Sequence, residues 1–219
     1  MSGPLAGRRV LVSAGPTYED IDPVRFLGNR SSGKMGFAVA AAARALDAEV
    51  VLVAGPVQLP TPDGVQRIDV RSAAQMHGAV LGALPADVYI GAAAVADFTP
   101  RSISEHKIKK TAGSDTLVLE LVRTPDILAE VAADPQRPAL VAGFAAETHE
   151  LEHYARGKLD RKRLDLIAAN LVGAAEGGFE RDDNVLVVYW QGGERRLGPA
   201  PKTEVAAQLV RLIAERLQA

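Results

Sequence analysis

The 219 residues are 47% apolar and 24% charged and contain no cysteine, which is the make-up of a globular chain with a full hydrophobic core. Disulfides, thiolate metal sites and a cysteine nucleophile are excluded together. With 25 basic and 27 acidic side chains the formal net charge is −2, so no global basic surface exists to make nucleic acid a partner. Met1 to Arg9 has no apolar run behind a basic segment and does not read as a signal peptide. The longest apolar candidate, residues 37–46, is Ala-rich, is interrupted by Arg44 and is too short to span a membrane, so no membrane partner is expected. The absence of cysteine fits a reducing cytoplasm, the expected location.

Residues 9–14 are a short apolar run ended by Gly15-Pro16, which predicts a buried strand. Ser31-Ser32-Gly33 opens a predicted helix that runs to about Asp47, with a serine as N-cap. Residues 49–54 predict a second strand, again ended by Gly-Pro, and residues 65–70 a third. Ser72 caps a predicted helix to about Leu84, and residues 87–93 predict a fourth strand. Apolar strands alternating with helices indicate a parallel sheet covered on both faces.

Residues 116–122 read as a strand beside an exposed, basic flap. Thr124-Pro125-Asp126 begins a predicted helix to about Ala133, with proline near its first turn. A fifth strand over 139–144, a charged helix over 149–163 and a strand over 164–169 follow. Residues 185–197 predict a hairpin around Gly192-Gly193, and residues 202–217 a terminal amphipathic helix. The expected fold class is α/β: a Rossmann-like, mostly parallel sheet with helices on both faces and a small β extension, in one domain over residues 1–219.

Ligands of open α/β sheets sit at the carboxyl ends of the strands. Four loops qualify: 15–36, 93–110, 143–148 and the region after Asn170. Gly28 to Met35 has the spacing of a phosphate-binding loop, but Met35 stands where a magnesium-ligating hydroxyl is needed, so that reading is rejected. What survives is a helix start rich in Ser31, Ser32 and Gly33, whose N–H groups suit an anion, with Asn29, Arg30 and Lys34 as further donors. Asp97, after a small-residue turn, and the basic cluster at Lys107 to Lys110 fit a magnesium–polyphosphate site, with Asp97 the candidate metal ligand. Lys158 and Lys162 lie one helical turn apart and can meet a polyphosphate as two point charges. His149 and His153 have the spacing of a zinc-hydrolase pair, but nothing marks a third ligand. A non-catalytic dinucleotide-binding module is a rival reading, and the absence of a Gly-x-Gly-x-x-Gly turn after the first strand counts against it.

Several blocks, in order, resemble one family. They are Ala14-Gly15-Pro16-Thr17, Asp22-Pro23-Val24-Arg25-Phe26 and Asn29-Arg30-Ser31-Ser32-Gly33-Lys34-Met35-Gly36. Next come Ala92-Ala93-Ala94-Val95-Ala96-Asp97-Phe98, Lys107-Ile108-Lys109-Lys110, Gly143-Phe144-Ala145-Ala146-Glu147-Thr148 and Asp165-Leu166-Ile167-Ala168-Ala169-Asn170. Together they are similar to bacterial phosphopantothenoylcysteine synthetase, the synthetase domain of the bifunctional coenzyme A biosynthesis protein. The resemblance implies a cytoplasmic ligase that joins 4′-phosphopantothenate to L-cysteine, using CTP and Mg2+ through an acyl-cytidylate. It implies nucleotide contacts at Gly91, Ala92, Ala93, Asp97, Lys107, Pro125, Asp126, Ile127, Leu128 and Phe144, with Lys158 and Lys162 on phosphates. Asn29 would act on the acyl group and Lys107 at the reacting phosphate. The resemblance further implies a homodimer whose flap around Lys107 reaches the partner's site. The flavin-dependent decarboxylase that precedes this domain in many bacteria is not expected within residues 1–219, though association with such a decarboxylase is. Arg163 departs from the family pattern, which has asparagine there.

Overall fold

A computed structural model describes residues 2–110, 116–171 and 182–218 of the protein. Strand β1 (Arg9–Ala14) leads through a small hairpin, β2 (Tyr18–Asp20) and β3 (Phe26–Gly28), into helix α1 (Lys34–Ala45). Then come β4 (Glu49–Ala54), β5 (Val65–Asp69), α2 (Ala73–Gly82) and β6 (Val88–Gly91). A second small hairpin pairs β7 (Phe98–Pro100) with β8 (Leu121–Arg123). The chain continues through α3 (Ile127–Ala133), β9 (Leu140–Glu147), α4 (Leu151–Arg161) and β10 (Leu166–Leu171). It closes with β11 (Asp183–Trp190), β12 (Gly193–Pro201) and α5 (Lys202–Leu217).

Eight strands form one sheet in the order β12-β11-β10-β9-β6-β1-β4-β5. From β10 to β5 all pairs are parallel, and β11 and β12 add an antiparallel edge. The expected α/β class is observed. The hairpin foreseen at residues 185–197 is part of the main sheet; the separate β extensions are the two small hairpins. Both sheet faces are covered, which is why the strands read as apolar runs. Val10, Val12, Val50 and Leu52 pack under α1 and α5, whereas Leu11, Val51 and Val53 pack under α2, α3 and α4.

Local chemistry sets the helix starts. Ser72 caps α2 in a reciprocal box with Gln75, as its hydroxyl permits. The first turn of α3 begins after Pro125, and Asp126 is the cap, its side chain accepting from the Ala129 N–H at 3.2 Å. The expectation of a serine cap on α1 is corrected. Gly33 occupies that position at φ 74°, a left-handed conformation that glycine adopts at no steric cost, and no side chain caps the helix. Of residues 116–122, only 121 and 122 lie in a strand. The flap expected just before it falls partly on 111–115, outside the described residues.

The β2–β3 hairpin was not foreseen, and polar anchors hold it. Buried Glu19 accepts from the Ala73 N–H at 2.8 Å, and Arg71 pairs with Asp20 at 2.6 Å while lying over the stacked Tyr18 and Phe26 rings. The topology also places the site. From β1 the chain moves outward through β4 and β5, then returns to the other side of β1 as β6. The loops after β1 and β6 therefore diverge and leave a crevice at the carboxyl edge.

Candidate active site

A cavity of about 740 Å³ opens at that crevice. Its floor includes Ser13 and Tyr89, whose hydroxyls share a hydrogen bond of 2.9 Å. Burial pushes the Tyr89 phenol up to about 12, so it stays protonated. The loop after β6 runs beside the loop after β1. The Ala92 N–H donates to the Ser13 carbonyl and the Ala94 N–H to the Gly15 carbonyl, each at 2.9 Å. Buried Thr17 fastens the same loop, its hydroxyl accepting from the Ala96 N–H at 3.0 Å. A run of alanines on a fixed loop leaves the backbone open to close approach by a ligand.

One wall is the entry to α1, from Asn29 to Gly36. The Asn29 NH2 donates to the Ala94 and Val95 carbonyls at 3.1 and 3.0 Å, so its Oδ1 is the atom left for a ligand. The opposite wall is the start of α3, from Pro125 to Leu128. Leu128 sits in a notch formed by two glycines that face each other in register, Gly91 on β6 and Gly143 on β9. A Cβ on either glycine would come within 2.7 and 2.6 Å of its methyl groups. That notch sets how far Asp126 and Pro125 reach over the cavity.

Lys158 and Lys162, from α4, complete this wall. Lys158 pairs with Glu147 at 2.7 Å and Lys162 with Asp126 at 2.9 Å. Arg163, where the resemblance implies asparagine, follows the cap of α4 at φ 53°, in the left-handed region where asparagine sits more easily. Lys162 nonetheless reaches the cavity. In all, six basic side chains and two acidic ones, Asp97 and Asp126, line the space. Such a surplus favours polyanionic ligands.

Of the residues given a nucleotide, phosphate or catalytic role by the resemblance, all line this cavity except Lys107, and Lys109 and Lys110 of the same basic cluster stay outside it too. Lys107 lies on a segment pinned to the hairpin. The Ile108 N–H donates to Asp22 at 3.2 Å, and its carbonyl accepts from Arg25 at 2.9 Å. The Asp22 side chain is buried, and its hydrogen bond with the Arg25 guanidinium holds its carboxyl well below the usual carboxylate range. Ser13, Tyr89, Arg123, Asn184 and Lys202 also line the cavity and were missed. They come from strand interiors and from elements remote in the chain, where no local motif marks them.

The zinc reading is overturned. Helix α4 begins at Leu151, after Glu150 in a left-handed turn, so His149 precedes the helix and shares no helical face with His153. Both rings instead pack edge-on against Tyr154. Among the described residues no group of three His, Asp or Glu side chains could hold a metal ion. A second hollow, of about 640 Å³ on the outer side of α4, contains His153 but gathers no such set.

The family of the DNA/pantothenate metabolism flavoprotein C-terminal domain matches residues 5–217. The chain belongs to that family. A coenzyme A biosynthesis bifunctional protein, CoaBC, of Vibrio cholerae is 50% identical over 214 residues, which are 97% of this chain and 54% of that protein. The CoaBC protein of Bacillus subtilis is 48% identical over 216 residues, 97% of this chain and 52% of its own length. The chain thus spans about half the length of these relatives. The crystal structure of a CoaBC C-terminal domain superposes with a TM-score of 0.83 at 40% identity, over 99% of both chains. Family membership and fold therefore agree with the resemblance read from the motifs. Among the described residues no helix is long and apolar enough to cross a membrane.

Proposed function

We propose that the chain is a phosphopantothenate–cysteine ligase of coenzyme A biosynthesis that uses CTP, working in the cytoplasm. The observation that carries this reading is the basic cavity at the sheet's switch point, where Asn29, Asp97, Lys158 and Lys162 meet around an alanine-lined backbone loop. The chemistry needs such a place. A carboxylate is a poor electrophile, and both substrates of the first step carry phosphate.

In the first step the carboxylate oxygen of 4′-phosphopantothenate attacks the α-phosphorus of CTP. The bond to the bridging oxygen breaks, and pyrophosphate leaves. Lys158 and Lys162 would exchange Glu147 and Asp126 for phosphate oxygens, stabilising the leaving group. Asp97 would hold Mg2+ together with phosphate oxygens, a donor set that suits an ion usually bound by one or two carboxylates and its nucleotide. Bound there, the ion would neutralise charge on the phosphates. Gly91, Ala92, Ala93, Phe144 and the start of α3 would enclose the nucleoside.

In the second step the cysteine amine attacks the acyl carbon, loses a proton and expels CMP, which leaves the amide. With its NH2 held by two carbonyls, Asn29 would present Oδ1 to the amine. An NH2 held in this way has no hydrogen left to donate to the acyl oxygen.

A homodimer is part of this reading. Val24, Ile103 and Val118 are 60%, 61% and 87% exposed, and Phe26 and Phe98 are also exposed, all on or beside the two small hairpins. In a second copy packed there, the pinned flap would carry Lys107 into the neighbouring site, as it does not line its own. A phosphopantothenoylcysteine decarboxylase would then consume the product, as expected beside relatives that are bifunctional.

The test is direct. Pyrophosphate should appear from CTP only with phosphopantothenate, CMP only after cysteine is added, and CTP should outperform ATP. Nucleotide hydrolysis independent of phosphopantothenate would refute the ligase, whereas equal use of ATP would refute only the base preference.

A further inference from the structure

The cavity has a second cationic end, around the α1 start whose N–H groups suit an anion, that the two reaction steps above leave unused. The helices around the sheet form two layers, with α1 and α5 on one face and α2, α3 and α4 on the other. Lys158 and Lys162 come from the second layer. Two further lysines come from the first: Lys34 opens α1 and Lys202 opens α5. Both line the cavity.

Lys202 is an unusual helix opener. It is only 7% exposed. Burial, and then the nearby charge of Lys34, pull its ammonium below the ordinary lysine range. The Asp182 carboxylate acts in the opposite sense, and an arriving anion would add to that compensation. Lys34 pairs with Asp182 at 2.6 Å, but that carboxylate is 85% exposed, so the pair contributes little and is readily exchanged.

A neutral donor points to the same spot. Asn184 is 5% exposed and lines the cavity. Its Oδ1 accepts from the Val185 N–H at 3.0 Å. Among the described residues its NH2 faces only the Met35 sulfur, at 3.8 Å, and a thioether is a weak acceptor. A buried amide with donor capacity to spare normally has a partner. The amino end of α1, which no side chain caps, adds N–H groups to the same corner.

We propose that Lys34, Lys202 and Asn184, with the amino end of α1, form a second phosphate-group subsite, across the sheet from Lys158 and Lys162. It rests on the ligase reading only for the identity of its ligand. Two phosphate-bearing molecules are available: the nucleotide and the phosphomonoester substrate. The chemistry recognised is the same for both, a dianionic group with several acceptor oxygens.

The experiment measures binding calorimetrically in the wild type, Lys202→Met, Lys34→Gln and Lys202→Arg. The probes are inorganic pyrophosphate, CTP with Mg2+, 4′-phosphopantothenate and dephosphorylated pantothenate. Lys202→Met removes the charge and keeps the stem, and its melting temperature checks that it folds. At least one phosphate-bearing probe should bind roughly tenfold or more weakly to Lys202→Met and Lys34→Gln, consistent with one lost charge-assisted bond. Pantothenate should be unaffected, and Lys202→Arg should recover part of the loss. A loss confined to CTP assigns the subsite to the nucleotide. A loss confined to phosphopantothenate assigns it to the other substrate. If the wild type binds neither substrate but binds pyrophosphate through these lysines, the subsite stands and the ligase reading fails. Unchanged binding of every phosphate-bearing probe in well-folded Lys202→Met and Lys34→Gln overturns the proposal, as does an equal loss of pantothenate.

Discussion

Gly36→Ala is the perturbation that best separates the shape of the cavity from its chemistry. Gly36 lies in the first turn of α1, pressed against the carboxyl end of β1. An added Cβ would stand 2.5 Å from the Ala14 Cβ and 3.4 Å from the Ala92 Cβ. Neither neighbour is a flexible side-chain tip, so the helix end must move by about 1 Å to restore ordinary contact. Overpacking of this kind costs about 1–3 kcal/mol. The better helix propensity of alanine returns about 1 kcal/mol. The net loss, on the order of 1 kcal/mol, should lower Tm by only a few degrees in a domain of this size. Catalysis should suffer far more, because Asn29 and Arg30 ride on the entry to α1. A displacement of roughly 1 Å can cost about a hundredfold in rate. The assay is CTP-dependent pyrophosphate release, with Tm read by scanning calorimetry. Gly78→Ala is the control: its Cβ meets nothing within 4 Å, so it should leave kcat/KM unchanged and hold or raise Tm. Wild-type activity in Gly36→Ala would refute the reasoning, as would an activity loss no larger than its unfolded fraction.

Lys107→Gln should cut pyrophosphate release by about a hundredfold with Tm unchanged, as expected for a lost charge at a reacting phosphate; near-normal release would make the lysine a surface charge. Asn29→Asp should slow CMP release more than the pyrophosphate burst, because a carboxylate beside the cysteine ammonium keeps it protonated; rapid-quench measurements that find both steps equally slowed would assign Asn29 to loop support alone. Val118→Asp combined with Phe98→Asp should weaken dimerisation and activity together, and light scattering at assay concentration that finds an unchanged dimer would reject the hairpin interface. The depressed carboxyl of Asp22 contributes stability that is present above the ordinary carboxylate pKa and is lost as pH falls through its folded value. The Tm gap between wild type and Asp22→Asn should therefore be flat above about pH 5 and shrink below about pH 4; a gap that changes between pH 6 and 8 would place its cause elsewhere.

What the sequence reveals follows from the range of the interactions involved. Residues 9–14 and 49–54 are legible to the residue because strands covered on both faces read as nearly continuous apolar runs. Helix α5 is legible because its amphipathic period runs for 16 residues after a proline. The β2–β3 hairpin has three-residue strands around Pro23, too short for a period to show, and its anchors Glu19 and Arg71 act across the fold. The loops that carry Asn29 and Asp97 were legible as strand ends, and so was Phe144, although its strand runs on to Glu147. Lys202 was not, because nothing near it in the chain reveals that it is buried. His149 and His153 misled through spacing alone, since the helix that would align them starts two residues after His149.

The cavity draws on both extremities of the fold. Ser13 lies near the end of the first strand, and Lys202 follows the last strand at the antiparallel edge. A chain that has paired only its parallel strands has no complete pocket. Ligand therefore meets a competent site only after the edge hairpin and α5 have docked, late in folding, at the cost of closing the longest loops. Substrates should then act on the exit from the native state: they should slow unfolding in proportion to occupancy and leave the folding limb of a chevron unmoved. The edge hairpin, remote from the chemistry, would become the element whose hydrogen-exchange protection rises most when phosphate-bearing ligands bind.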